Sequence, residues 1–223
     1  VENVTELNNI LDKLIDYKGF VTKRATVICA FASSYTLDID SICDMMKAEG
    51  YEVEFLDTYE RARPQQIANS VNNGLDMLTY DGHGSISGWD GSFYSPNVYT
   101  LLNNTGRYPV VFSMACETGH FDTVRCFGEA WIRAAGRGAI AFLGFSRTAE
   151  GPLGYLTCKG FHKAIFVNGV CNLGAATAQA KLYLYYAFGD IRDTVPSGVP
   201  ESGQEQPKTQ AHFEMLNLLS DPH

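Results

Sequence analysis

The period of the apolar positions changes along the chain. Val4, Leu7, Ile10, Leu11, Leu14 and Ile15 recur at helical spacing, and Gly19 stands where such a helix would stop. After it come short apolar runs of strand type at residues 25–31, 51–56, 75–80, 109–115 and 138–143. Helical patterns separate them, at residues 37–48 (closed by Gly50), 63–72 (opened by Pro64), 96–102 and 127–135, with two more at about 154–167 and 173–188. Strands alternating with helices predict parallel βαβ units and a doubly wound sheet. Residues 196–207, rich in proline, glycine, serine and glutamine, read as an exposed loop. The apolar cluster Phe213, Met215, Leu216, Leu218 and Leu219 then returns the chain to the core.

Composition narrows the function classes. A chain of 223 residues with 45% hydrophobic and 12% aromatic residues can fill the core of one α/β domain. A net charge of −8 argues against nucleic acid as a partner, because phosphate binding needs a basic face. The apolar runs fall short of the roughly 18 residues of a membrane span. The first 18 residues are amphipathic and lack the charged-then-apolar order of a secretory leader. Six cysteines are too few for a disulfide scaffold; bridges among Cys29, Cys43, Cys126, Cys158 and Cys171 stay open, beside the plainer reading of buried small apolar side chains.

Two segments carry chemistry. Tyr80-Asp81-Gly82-His83-Gly84-Ser85 and Ser113-Met114-Ala115-Cys116-Glu117-Thr118-Gly119 each follow a strand pattern directly, so His83 and Cys116 fall just past strand ends. The functional crevice of an open parallel sheet lies there. A thiolate attacks carbonyl carbon, and a neighbouring imidazole takes its proton and returns it to the leaving amine. Gly82 and Gly84 bracket the histidine and allow close backbone approach. The amides of Gly84 and Cys116 are the candidate oxyanion donors. Asp81, Gly82, Met114 and Ala115 adjoin the pair and, with Trp89, are candidate substrate contacts; Tyr155 is a further aromatic for the wall of a pocket.

The segment His83-Gly84-Ser85, the run Ala115-Cys116-Glu117-Thr118-Gly119-His120-Phe121 and Cys126-Phe127-Gly128-Glu129-Ala130 together resemble the gingipain family of cysteine peptidases, of the caspase-like clan. Gly138-Ala139-Ile140-Ala141-Phe142 resembles that family's next strand. Leu218-Leu219-Ser220-Asp221-Pro222 resembles its terminal Gly-Asp-Pro signature, with Ser220 in place of glycine. The resemblance implies a three-layer α/β/α sandwich with a mostly parallel, caspase-like sheet over residues 1–223. It also implies a catalytic domain cut from a longer secreted or cell-surface precursor with additional domains, and protein or peptide substrates. No organic cofactor is required by the chemistry; the resemblance implies at most structural calcium, for which no contiguous Asp-rich loop stands out. Relatives with basic specificity place an acid in the pocket for the residue before the scissile bond, and Asp38 is the nearest match, although aspartate at a helix start is also an ordinary cap. The family acid that orients the histidine has no counterpart in Ala32-Ser33-Ser34-Tyr35. Asp57 is a weak substitute, so a simple dyad is expected.

His120 and Glu117 read as solvent-facing loop residues, Glu129 as a buried carboxylate held by loop amides, and Gly119 as a turn residue with positive φ. A zinc site using His83, Cys116 and His120 lacks a second tight pair of ligands. No Gly-x-Ser-x-Gly elbow of a serine hydrolase occurs. A sortase-like or processing peptidase of a secretion system, and a non-catalytic binding module on the same fold, are the rival readings.

Overall fold

The computed structural model describes residues 3–30, 39–57, 64–122, 125–192 and 212–220, with side chains of the last long helix described to residue 187. Asp38, residues 32–35 and the 196–207 stretch lie outside these, as do Asp221 and Pro222. Six strands make the main sheet: β1 (Arg24–Cys29), β2 (Glu52–Asp57), β3 (Met77–Asp81), β7 (Val110–Met114), β8 (Ala141–Phe145) and β9 (Leu216–Leu219), in the order β2-β1-β3-β7-β8-β9. All neighbours are parallel except β8 and β9. Three two-residue strands, β4 (Gly84–Ser85), β5 (Gly88–Trp89) and β6 (Phe93–Tyr94), form a small antiparallel sheet that the apolar pattern of the sequence does not show.

The central strands are apolar on both faces, as a sheet covered on both sides requires. Along β7, Val110, Phe112 and Met114 enter one core while Val111 enters the other. The first core is closed by α2 (Ile39–Ala48), α6 (Gly151–His162) and α7 (Leu173–Arg192), through residues such as Ile42, Met46, Phe161 and Leu184. The second is closed by α3 (Pro64–Asn72), α4 (Ser95–Leu101) and α5 (Phe127–Arg133), through Ile67, Val71, Val98 and Trp131. The result is the three-layer α/β/α sandwich expected. Helix α6 continues into a π-helical turn at Lys163–Val167.

Helix α1 (Val4–Asp16), capped by the Asn3 side chain on the Glu6 amide, packs in an unexpected sense. Ile10 and Leu14 turn inward, but Val4, Leu7, Leu11 and Ile15 are exposed, while Glu6 and Lys13 are buried. Lys13 Nζ donates to the carbonyls of Trp131, Arg137 and Ala139 at 3.0–3.2 Å. Glu6 pairs with Arg125 and Arg133. Helical periodicity is therefore correctly read in the sequence, but the buried face is set by ionic and carbonyl partners more than a hundred residues away. No helix among the described residues is long and apolar enough to cross a membrane.

Candidate active site

Strands β3 and β7 are adjacent and in register, Asp81 beside Met114, so the turns that follow them leave the sheet side by side. Contact between the turns is tight. A Cβ on Gly84 would lie 2.7 Å from Ala115 Cβ, 3.1 Å from Cys116 O and 3.1 Å from Thr118 Cγ2, so only glycine lets the histidine turn seat on the cysteine turn. Gly82, whose amide donates to Met114 O at 3.3 Å, is equally confined, against Tyr80 Oη and Ala30 Cβ. The His83 carbonyl accepts from Tyr80 Oη at 2.9 Å and from the Asp90 amide at 3.1 Å, which fixes the backbone under an exposed imidazole.

Polar side chains tie the two turns below the surface. Trp89 Nε1 donates to Ser113 Oγ at 2.8 Å, and Ser113 Oγ shares a hydrogen bond with Thr118 Oγ1 at 2.9 Å. Trp89 is fully buried and stacks on Tyr80 with ring centroids 4.4 Å apart. Its place is therefore the core that holds the site together, and not the wall of a substrate pocket. Met114 and Ala115 are likewise buried, Met114 against Gly154 of α6 and Ala115 under Gly84. They shape the site from beneath.

Cys116 is half-buried. Its Sγ accepts from the Ala149 amide at 3.4 Å and lies 3.7 Å from the Ala149 carbonyl, to which the thiol form can donate. The residue after it, Glu117, has φ +60°, an uncommon conformation for a residue with a side chain and a place where backbone strain is stored. The positive φ expected at Gly119 is thus found at Glu117. Gly119 is needed for a different reason: a Cβ there would meet Gly144 O at 2.6 Å. Backbone bonds from Glu117 to Arg147 O (3.2 Å) and from Gly119 to Phe145 O (2.9 Å) hang the turn on β8 and the loop after it.

The remaining candidates sort by position. Asp81 is 2% exposed, its Oδ2 has no hydrogen-bond partner, and burial pushes its pKa up to about 7. It ends β3, on the side of the sheet where α6 packs, and its charge is felt by the buried Cys158 thiol. Asp57 ends β2, which β1 separates from β3. His120 is not solvent-facing as expected: its side chain is largely covered, and Nε2 lies 3.3 Å from Asp122 Oδ1. Glu129 accepts from the Cys126 amide at 3.0 Å and pairs with Arg133, which fits its expected structural role. Tyr155 is buried, its hydroxyl near Ser41 and Lys159. All six cysteines are free thiols, so the bridges left open by the sequence are not formed. Among the described residues no three His, Cys, Asp or Glu side chains are grouped to hold a metal ion.

Sequence reasoning missed His212. It is buried, its Nε2 accepts from the Glu150 amide at 2.7 Å, and its ring packs on Phe145. No motif surrounds it, and its partner lies 62 positions earlier.

This arrangement has relatives. Gingipain R2 of Porphyromonas gingivalis is 30% identical over 149 residues, covering 60% of this chain and 20% of the relative. Lys-gingipain of the same organism is 27% identical over 157 residues, covering 63% of this chain and 9% of the relative. The chain thus spans a fifth or less of these curated relatives. Among solved structures, that of the Arg-specific cysteine proteinase gingipain R superposes with a TM-score of 0.80 at 20% identity, covering all of this chain and 53% of the other. The complex of the pro- and mature domains of a Porphyromonas gingivalis gingipain gives 0.76 at 21% identity. These two likenesses establish the fold. The family model described as peptidase family C25 matches residues 1–223, and the chain belongs to that family.

Proposed function

We propose that this chain is the peptide-hydrolysing unit of a cysteine endopeptidase, with Cys116 as nucleophile and His83 as its general base and acid. The observation that carries the reading is the seating of Gly84 on Ala115 and Cys116, which sets a histidine turn directly against a cysteine turn at the carboxyl ends of adjacent parallel strands. Membership of peptidase family C25 supports it. His83 takes the thiol proton as Sγ bonds to the scissile carbonyl carbon. The oxyanion is held by the amides of Gly84 and Cys116. Collapse expels the amine, which receives the proton from His83, and leaves a thioester. Water, deprotonated by His83, then releases the acid and restores the thiol.

Cleavage after arginine or lysine is the substrate class we infer. The relatives named above include an Arg-specific proteinase and a Lys-gingipain. Asp81, buried with an unpartnered carboxylate oxygen two residues before His83, is the acid in the described residues best suited to meet a basic side chain. Protein substrates belong to the same reading through membership of the peptidase family, and so do further domains in the same polypeptide, since the matched relatives are several times longer; action outside the cell is the location we infer with it.

A panel of fluorogenic peptides varying the residue before the scissile bond tests this. Wild type should prefer arginine or lysine, and Cys116→Ala and His83→Ala should each lose at least about three orders of magnitude in kcat. Turnover that survives in the purified Cys116→Ala protein removes the nucleophile assignment. Cleavage after apolar or acidic residues removes the substrate class alone.

A further inference from the structure

The loop joining β8 to α6, residues 146–150, touches the cysteine turn at three points: the Ala149 amide on Cys116 Sγ, Arg147 O on the Glu117 amide, and the paired Arg147 and Asp122 side chains. On its other side it is gripped by residues 212–217. The Ser146 amide donates to Met215 O at 2.9 Å, and the Glu150 amide donates to His212 Nε2 at 2.7 Å. Accepting an amide hydrogen bond requires the Nε2 lone pair, so the ring proton sits on Nδ1. Within the loop, Ala149 and Glu150 share one peptide unit. The His212 contact therefore fixes the plane that carries the Ala149 carbonyl and anchors the Ala149 Cα, one bond from the amide nitrogen that faces Cys116 Sγ.

We propose that His212 is a positioning residue for Cys116: by holding the Glu150 amide, it anchors Ala149, whose N–H and carbonyl both face the sulfur. The consequence is chemical. A thiolate accepts from the Ala149 amide, whereas a thiol can donate to the Ala149 carbonyl 3.7 Å away. The bond from the amide to the charged sulfur is the stronger of the two, so holding Ala149 in place favours the thiolate, which is the nucleophilic form. The inference rests on the reading of Cys116 as nucleophile for its effect on turnover, but its effect on the sulfur is measurable without any substrate.

Two readouts test it, in a Cys171→Ser background that removes the one exposed thiol. The first is the pH profile of Cys116 alkylation by iodoacetamide, followed on the Cys116 peptide by mass spectrometry. The second is kcat and KM on the best peptide of the panel. His212→Leu should move the half-maximal pH of alkylation up by about half a unit or more and lower kcat about tenfold with KM little changed. His212→Gln, which keeps an acceptor near the Nε2 position, should restore most of both. Glu150→Pro deletes the donor at a residue whose φ of −83° nearly suits proline, and should reproduce the His212→Leu profile. If His212→Leu does not fold, Glu150→Pro decides. An unaltered alkylation profile in the folded His212→Leu or Glu150→Pro protein, or a His212→Gln protein indistinguishable from His212→Leu, overturns the proposal. Turnover by Cys116→Ala overturns the functional reading while leaving the alkylation result to stand or fall alone.

Discussion

Gly84 lacks a side chain because the cysteine turn leaves it no room. A methyl group placed 2.7 Å from Ala115 Cβ must push the two turns apart, and the neighbours are a short side chain and backbone that cannot swing away. Gly84→Ala should therefore lower kcat by about 100-fold through misplacement of the imidazole, with a loss in Tm of only a few degrees. A variant with wild-type kcat would mean that the turns are not in contact in solution. Asp81 makes a second prediction. Its unfolded pKa is 3.8 and its folded value about 7, so the folded protein keeps the proton that the unfolded chain has released. The stabilisation from this group is complete below about pH 4 and is lost as pH rises through 7. Asp81→Asn stays neutral throughout. It should match wild type near pH 4 and be more stable at pH 8 by on the order of 4 kcal/mol, while losing preference for basic peptides. Thermal melts of both proteins at the two pH values check this, and an equal gap at both would show that the carboxyl does not titrate between them.

At the level of elements, α1 is bound to the domain by its polar residues. Burial pulls the Lys13 pKa down to about 7, but its three carbonyl partners pull the other way, since only the ammonium has three N–H bonds to give. Lys13→Met would fill the space and leave those carbonyls unpaired. It should destabilise the protein by about 2–4 kcal/mol, read as a fall in Tm on the order of 5–10 °C. A melt within a degree of wild type would show that the three bonds contribute nothing net. The helix is legible in the sequence because its period is local. Its orientation is not, because Glu6 and Lys13 find their partners at Arg125, Arg133 and the end of α5, and nothing within α1 reports those positions. The same limit explains β9, whose partner on β8 lies more than seventy positions earlier, and the small sheet β4 to β6, whose strands are too short to show any period.

Across the whole molecule, the parallel strands and the two turns were readable because apolar runs ending in glycine or small residues specify strand and exit together. The support behind the turns was not, since Ser113, Thr118, Ala149 and His212 are ordinary residue types that matter only through contacts. The cysteines join the two levels. Cys29, Cys43, Cys126 and Cys158 are each no more than 4% exposed, Cys116 is half-buried and Cys171 lies open. Burial pushes the Cys126 thiol up to about 11 and the Cys43 and Cys158 thiols upward as well, which suppresses the reactive thiolate and adds to the steric protection. A thiol reagent added to the native protein at pH 8 should therefore modify two cysteines, and the other four only as the protein unfolds. Blocking Cys116 should track the loss of peptidase activity, and blocking Cys171 should not, because the latter is an exposed thiol in the segment before α7, bonded to the Gly169 carbonyl and outside the histidine and cysteine turns. Cysteines that stay unreactive after unfolding without reductant would reveal disulfides. A native count above two would show that the core opens on the timescale of the reagent, and that the rigid backing behind the two turns is weaker than its hydrogen bonds imply.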